Sequence, residues 1–224
     1  MNGGVLMRKV HVLLLTVALV LSLISCSAPS ETSIPPKDNV SSVAADWIMF
    51  DTLSSINDSA DCTIIAKVLT KENAISVGYD ESDFANFANY IESDSLLASK
   101  MQLSIRTPHT IVVEEVISSK PDISEGDVLD LYQIGGTLYD VTLTDSTTVP
   151  LEVGSKYVLI LKQRVTSDST SYYSMITPIQ GYAEIVENNT NARSNNITYQ
   201  THEQNHLFDS ISSVADIYNA VKND

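Results

Sequence analysis

The sequence predicts a mainly β fold: a small antiparallel barrel or sandwich of five to seven short strands, with an inserted helical segment and a C-terminal helix. Three observations predict it. Short runs rich in Val, Ile and Tyr alternate in polarity, as in Val128-Leu-Asp-Leu-Tyr-Gln-Ile134. Turn residues separate them at Lys120-Pro121, Glu125-Gly126-Asp127, Gly135-Gly136, Val153-Gly154-Ser155 and Gln180-Gly181. Residues 80–100 and 209–224 instead repeat apolar side chains at helical spacing.

The chain opens on an export signal. Arg8 and Lys9 precede an apolar run, Val10 to Ile24. Fifteen helical residues rise about 22 Å, short of the ~30 Å hydrocarbon core, so the run suits a signal h-region rather than a permanent span. It ends in Leu23-Ile24-Ser25-Cys26, which resembles the bacterial lipobox. The resemblance implies that residues 1–25 are a lipoprotein signal peptide and that Cys26 is acylated, becoming residue 1 of an extracytoplasmic protein held to the bacterial cell membrane by its lipid. Two acyl chains suffice for stable anchoring. Cleavage removes two bases and no acid, taking the net charge from −15 to −17. Such a field repels phosphate backbones and argues against nucleic acid as a partner.

Residues 26–45, with Pro29, Pro35 and Pro36, read as a polar tether. The barrel domain is expected over 46–187. Asp51-Thr-Leu-Ser-Ser-Ile-Asn57 suits a short helix capped by Asp51. The first strand is Cys62–Leu69, with Cys62, Ile64, Ala66 and Val68 on one face. This makes Cys62 a small buried hydrophobe, and with Cys26 acylated no disulfide is available. The insertion at 80–100 places Phe84, Phe87, Ala88 and Ile91 at helical spacing, with Ser82 or Asp83 as N-cap. Strands follow at Thr110–Ser118, Val128–Ile134, Leu138–Leu143, Lys156–Gln163, Tyr172–Ile176 and Tyr182–Val186. Val128, Asp130, Tyr132 and Ile134 face one way, Leu129, Leu131 and Gln133 the other. The glycines of Gly135-Gly136 and Gln180-Gly181 suit barrel corners. Residues 188–208 read as a loop, and 209–224 as a helix whose stripe of Ile211, Val214, Tyr218 and Val221 packs back on the barrel.

Three stretches together carry a family resemblance. They are Leu53 to Val68; Ile111-Val-Val-Glu-Glu-Val-Ile117 followed by Asp127 to Gly136; and Leu151-Glu-Val-Gly-Ser-Lys-Tyr-Val-Leu-Ile-Leu161 ending at Pro178-Ile-Gln-Gly-Tyr182. In strand order and punctuation, residues 51–186 resemble small bacterial surface lipoproteins with an OB-fold-like barrel, similar to the netrin-like domain of the tissue inhibitors of metalloproteinases. The resemblance implies an OB-like barrel and no known catalytic residues. Those inhibitors chelate zinc through a free N-terminal cysteine. An acylated Cys26 would not do so.

One motif points to chemistry. His202-Glu203-Gln204-Asn205-His206 matches H-E-x-x-H, which on a helix turns both histidines to one side for zinc and offers the Glu as general base. Its setting is unfavourable. It follows an Asn/Thr-rich stretch, its intervening residues are polar, and Asp209 and Ser212 stand where a metzincin would continue with glycine and histidine. His109, after Pro108, has no Ser or Cys partner in view. Glu114 and Glu115 fall on opposite faces of a strand. Trp47 and Tyr132, Tyr139, Tyr157, Tyr172, Tyr173 and Tyr182 read as core or rim, an exposed subset of which could bind peptide or glycan. The expected function is therefore a non-enzymatic, lipid-anchored binding module for an unknown protein, peptide or glycan, with no cofactor, no catalytic residue and no metal site. The rivals are a zinc metallopeptidase using His202, Glu203 and His206, and a protease inhibitor acting through a loop.

Overall fold

The computed structural model describes residues 39–42, 47–144, 147, 149–166, 168–188 and 196–222. The signal peptide, Cys26 and most of the expected tether lie outside them. In chain order the elements are β1 (Asn39–Ser42), α1 (Leu53–Ser59), β2 (Cys62–Lys71), β3 (Ile75–Ser76), α2 (Glu81–Phe84), α3 (Phe87–Ser93), α4 (Ser95–Gln102) and β4 (Ile105–Ser119). There follow β5 (Val128–Ile134), β6 (Gly136–Leu138), β7 (Val141–Thr144), β8 (Lys156–Val165), β9 (Ser171–Met175), β10 (Tyr182–Asn188), β11 (Asn196–Gln200) and α5 (Val214–Lys222).

Five strands close on themselves: β2 pairs with β4, β4 with β5, β5 with β9, β9 with β8, and β8 with β2. All these pairings are antiparallel except β5–β9, where Leu131 lies beside Tyr173 on a parallel strand, so the barrel is mixed rather than wholly antiparallel. This is an OB-like barrel. Its curvature comes from β2 and β4, whose register slips at Thr63/Ile64, Ile65/Ala66 and Val68/Thr70. Each bulge tightens twist and bends the pair around the interior. β10 and β9 follow one another along β8, and β11 extends the sheet beyond β10.

Alternation decides what fills the barrel. Cys62, Ile64, Ala66 and Val68 of β2 point inward, as expected, with Ile111 and Val113 of β4, Leu131 of β5, Tyr157, Leu159 and Leu161 of β8 and Tyr173 of β9. Leu151, from the chain entering β8, is fully buried with them. Gln133 is also inward and 4% exposed. Its Nε2 donates to the Val149 carbonyl at 2.8 Å and its Oε1 accepts from Leu151 N at 3.2 Å, so a buried amide satisfies itself by fastening that segment.

The outer face of β2, β8 and β10 is covered by helices. Ile65, Val158, Ile160 and Ala183 meet Leu53 and Ile56 of α1 and Ile217 of α5. Ile211, Val214, Tyr218 and Val221 all pack there, as the helical stripe predicts, although α5 begins at Val214 rather than 209 because residues 202–213 form turns. Ser213 accepts from Asp216 N at 3.2 Å, capping the new start. Thr52 rather than Asp51 caps α1, in a reciprocal capping box with Ser55.

The insertion makes a third core. Phe84, Phe87, Ala98 and Met101 pack on Ile105, Leu138, Val141 and Leu143. Three short helices replace the expected one or two, and Asp80 caps the first by accepting from Ser82 N. Ala88 and Ile91 are exposed, because the helix breaks between Phe84 and Phe87 and the apolar stripe turns with it. Two further departures concern strands. Residues 39–42, within the expected tether, pair in parallel with β7, and residues 196–200, within the expected loop, pair with β10.

Gly135 and Gly136 both have positive φ, as a corner requires. Gly181 serves differently: a Cβ there would collide with the Thr177 carbonyl, so the glycine permits a close approach rather than a left-handed backbone.

Candidate functional site

The H-E-x-x-H segment does not form the helix its chemistry needs. Residues 202–206 are turns, held by a fully enclosed Asn205 whose Nδ2 donates to the Tyr182 carbonyl at 3.3 Å and whose Oδ1 accepts from Leu207 N at 3.2 Å. Asn205 N donates to the His202 carbonyl at 2.8 Å. His202 Nδ1 accepts from Gln204 N at 3.2 Å, and His206 Nδ1 faces Asp209 Oδ2 at 3.1 Å on the surface. Among the described residues no group of three His, Cys, Asp or Glu side chains is placed to hold a metal ion.

A different constellation is assembled on the outer wall of the barrel. The alternation that sends Leu131, Tyr173 and Leu161 inward sends outward their neighbours Tyr132 and Tyr172 and, three positions beyond Leu161, Arg164. Register then gathers them. Arg164 lies opposite Tyr172 on β9, and Arg106 opposite Ile134 on β5. The parallel β5–β9 pairing brings Tyr132 onto Tyr172, with ring centroids 4.4 Å apart and 17° between planes. With Trp47, Ser174, Met175, Ile176 and Pro178 these side chains line a cleft of about 340 Å³. That is the small end of the range for ligand pockets.

Arg106 Nη1 donates to the carbonyls of Leu103, at 2.6 Å, and Ile105, at 2.9 Å. Arg164 Nε donates to Ser174 Oγ at 3.3 Å. Among the described residues no carboxylate lies within ion-pair distance of either guanidinium. Burial holds the Arg106 pKa below its ordinary value, the charge of Arg164 lowers it further, and nearby Tyr172 acts the other way. The Tyr132 hydroxyl is pushed up, first by burial and then by Asp130, Glu72, Tyr172 and Asp168.

The remaining sequence candidates are placed as follows. Cys62 is a free thiol inside the barrel, pushed up to about 12 by burial and then by Asp61, so it is a core side chain rather than a nucleophile. His109 also points inward. Its Nδ1 lies 3.0 Å from the Thr107 carbonyl and so carries the proton, while Nε2 lies toward the Leu151 backbone without good hydrogen-bond geometry. Glu114 pairs with Lys156 at 2.9 Å and Glu115 acts on Tyr199 and Tyr218; the bulge at Ile65/Ala66 leaves Glu114 without a partner on β2, so the two acids do not simply alternate between faces. Tyr157, Tyr173 and Tyr182 are core, Tyr139 is an exposed turn residue at φ 53°, and Tyr132 and Tyr172 are half-buried on the outer wall.

Sequence reasoning missed Arg106 and Arg164. A signal existed: the chain has only four arginines, and these two are the ones within the expected barrel. No protein-family model, curated protein or solved structure matches the chain.

Proposed function

We propose that this protein is a lipid-anchored extracytoplasmic binding module, non-enzymatic, whose contact surface is the outer-wall cleft between Arg106, Tyr132, Arg164 and Tyr172. The observation that carries the reading is the convergence, on adjacent strands, of stacked rings and two arginines with no acidic partner among the described residues. Its lining is that of recognition rather than bond-breaking: rings, guanidinium donors and one serine hydroxyl. OB-like barrels commonly bind ligands across their second and third strands and beside the hairpin between the fourth and fifth. Here the cleft takes Arg106 from the second barrel strand, Tyr132 from the third, and Arg164 and Tyr172 from either side of that hairpin. Such fold analogy supports a location, not a ligand.

The single tryptophan of the chain lines this cleft and reports on it. Titrating the full chain with oligosaccharides, short peptides and small organic acids should change Trp47 emission for at least one class, and Tyr172→Ala should abolish that response. No response to any class, or a response indifferent to Tyr172→Ala, contradicts the proposed surface. The lipobox supports the anchor. A clickable palmitate analogue should label the wild-type chain in cells and not Cys26→Ser; equal labelling of the two would refute lipidation at Cys26.

A further inference from the structure

Resting on that reading of the cleft, we infer that its ligand is a small organic oxyanion, a carboxylate or phosphate group on a flat apolar body, gripped by Arg106 and Arg164 together.

Among the described residues, several guanidinium donors at the cleft have no protein acceptor. A guanidinium carries five N–H groups and cannot shed its charge in a protein. Arg106 commits Nη1 to two carbonyls, leaving Nε and Nη2 without a protein acceptor among the described residues. Arg164 commits Nε to Ser174, leaving both terminal nitrogens so. The charge of exposed Arg164 thus disfavours that of half-buried Arg106, and among the described residues no carboxylate pairs with either. That arrangement costs free energy in the empty protein. An oxyanion between them removes the repulsion and accepts the unused N–H groups, in the bidentate geometry for which arginine suits carboxylate and phosphate better than lysine does.

Charge elsewhere makes the pair more telling. The chain carries 28 acids against 13 bases, so its general field repels anions. An anion enters such a protein only where local donors outweigh that field. Asp168, one of the acids that raise the Tyr132 pKa, is itself engaged by the hydroxyl of Thr166 and by Thr170 N. The rest of the ligand is set by the walls. Ile134, Met175, Ile176 and Pro178 are apolar, and the Tyr132–Tyr172 stack presents aromatic surface beside the arginines. A cleft of about 340 Å³ admits one ring with its substituents and excludes a bulky body.

Calorimetry on the full chain tests this with three probes of one shape: 4-hydroxybenzoate, 4-hydroxyphenylphosphonate and the neutral 4-hydroxybenzamide. At least one anion should bind, with the amide roughly tenfold weaker or worse, because a charge-assisted pair is lost. Which anion binds tighter identifies the oxyanion. Arg164→Gln should lower affinity roughly tenfold, and Arg164→Lys should recover only part of it. Arg164 is exposed, so its variants should keep the wild-type melting temperature. Arg106→Gln provides the second arm. Equal binding of amide and anions overturns the inference while leaving the cleft a binding surface. Anion binding unaffected by both arginine variants overturns it too. If none of the three probes binds, the oxyanion inference falls, and Trp47 titration with neutral sugars and peptides then decides separately whether the cleft binds anything.

Discussion

Gln180 clamps Phe50 through both of that residue's backbone groups: Oε1 accepts from the Phe50 N–H at 2.7 Å, and Nε2 donates to the Phe50 carbonyl at 2.9 Å. The amide is 3% exposed, so these bonds satisfy it away from water. They also fix the chain three residues after Trp47, which holds the indole at the cleft. Gln180→Leu leaves both Phe50 groups without partners and should cost about 1–3 kcal/mol in urea unfolding. Trp47 emission should shift to the red as the indole is released. An unchanged emission maximum in a destabilised variant would mean that Trp47 is held by something other than this clamp.

Gly136 sits at φ 127°, and a Cβ there would come 2.6 Å from Thr107 Oγ1 and 2.7 Å from Ala74 Cβ. Gly126, at φ 91°, has nothing within 4 Å of the same point. Gly126→Ala should therefore cost about 1–2 kcal/mol of backbone strain alone, and Gly136→Ala at least a further ~1 kcal/mol for the overlap. Equilibrium unfolding of the two variants side by side checks the order.

His109 is buried and its pKa lies below the ordinary 6.5, principally because burial disfavours the charged ring. In the unfolded chain it titrates near its ordinary value, so between that pH and its lower folded pKa only the unfolded state takes up the proton. The stabilisation is present above about pH 6.5 and is lost as pH falls through the folded pKa. His109→Gln should flatten the fall in melting temperature just below pH 6.5. A variant with the wild-type slope would place its origin elsewhere.

The turn around Asn205 predicts a negative result for zinc. His202 and His206 are engaged separately, by Gln204 N and by Asp209, instead of facing one way along a helix. After dialysis the chain should retain well below one zinc per molecule, and His206→Ala should not change its melting temperature in added zinc. Stoichiometric zinc that disappears in His206→Ala would revive the metallopeptidase reading.

Much of the barrel was legible in strand alternation. The split of Val128–Ile134 into two faces and the inward face of β2 follow from period two alone, and both hold in the structure. What escaped depended on longer-range pairing. β4 begins at Ile105, five residues ahead of the expected strand, because Pro108 stands near the end of the β2 pairing, which stops at Lys71 opposite His109. A proline is tolerated where a neighbouring ladder runs out, and that neighbour is not visible in the local sequence. The Asn/Thr-rich composition at 196–200 hid β11, whose strand form comes from pairing with β10. The cleft was hidden for the same reason. Arg106 and Arg164 lie 58 positions apart in sequence, and only barrel closure through β9 places both beside Tyr172.

The most direct test of the cleft as the binding surface is a map of backbone amide shifts in the isotope-labelled protein on addition of 4-hydroxybenzoate. Saturable shifts are expected at Arg106, Tyr132, Arg164, Tyr172 and Ser174, with the 202–206 turns and the helices α2 to α4 unmoved. Saturable shifts confined to those other regions, or none at millimolar ligand, would contradict the cleft as that surface.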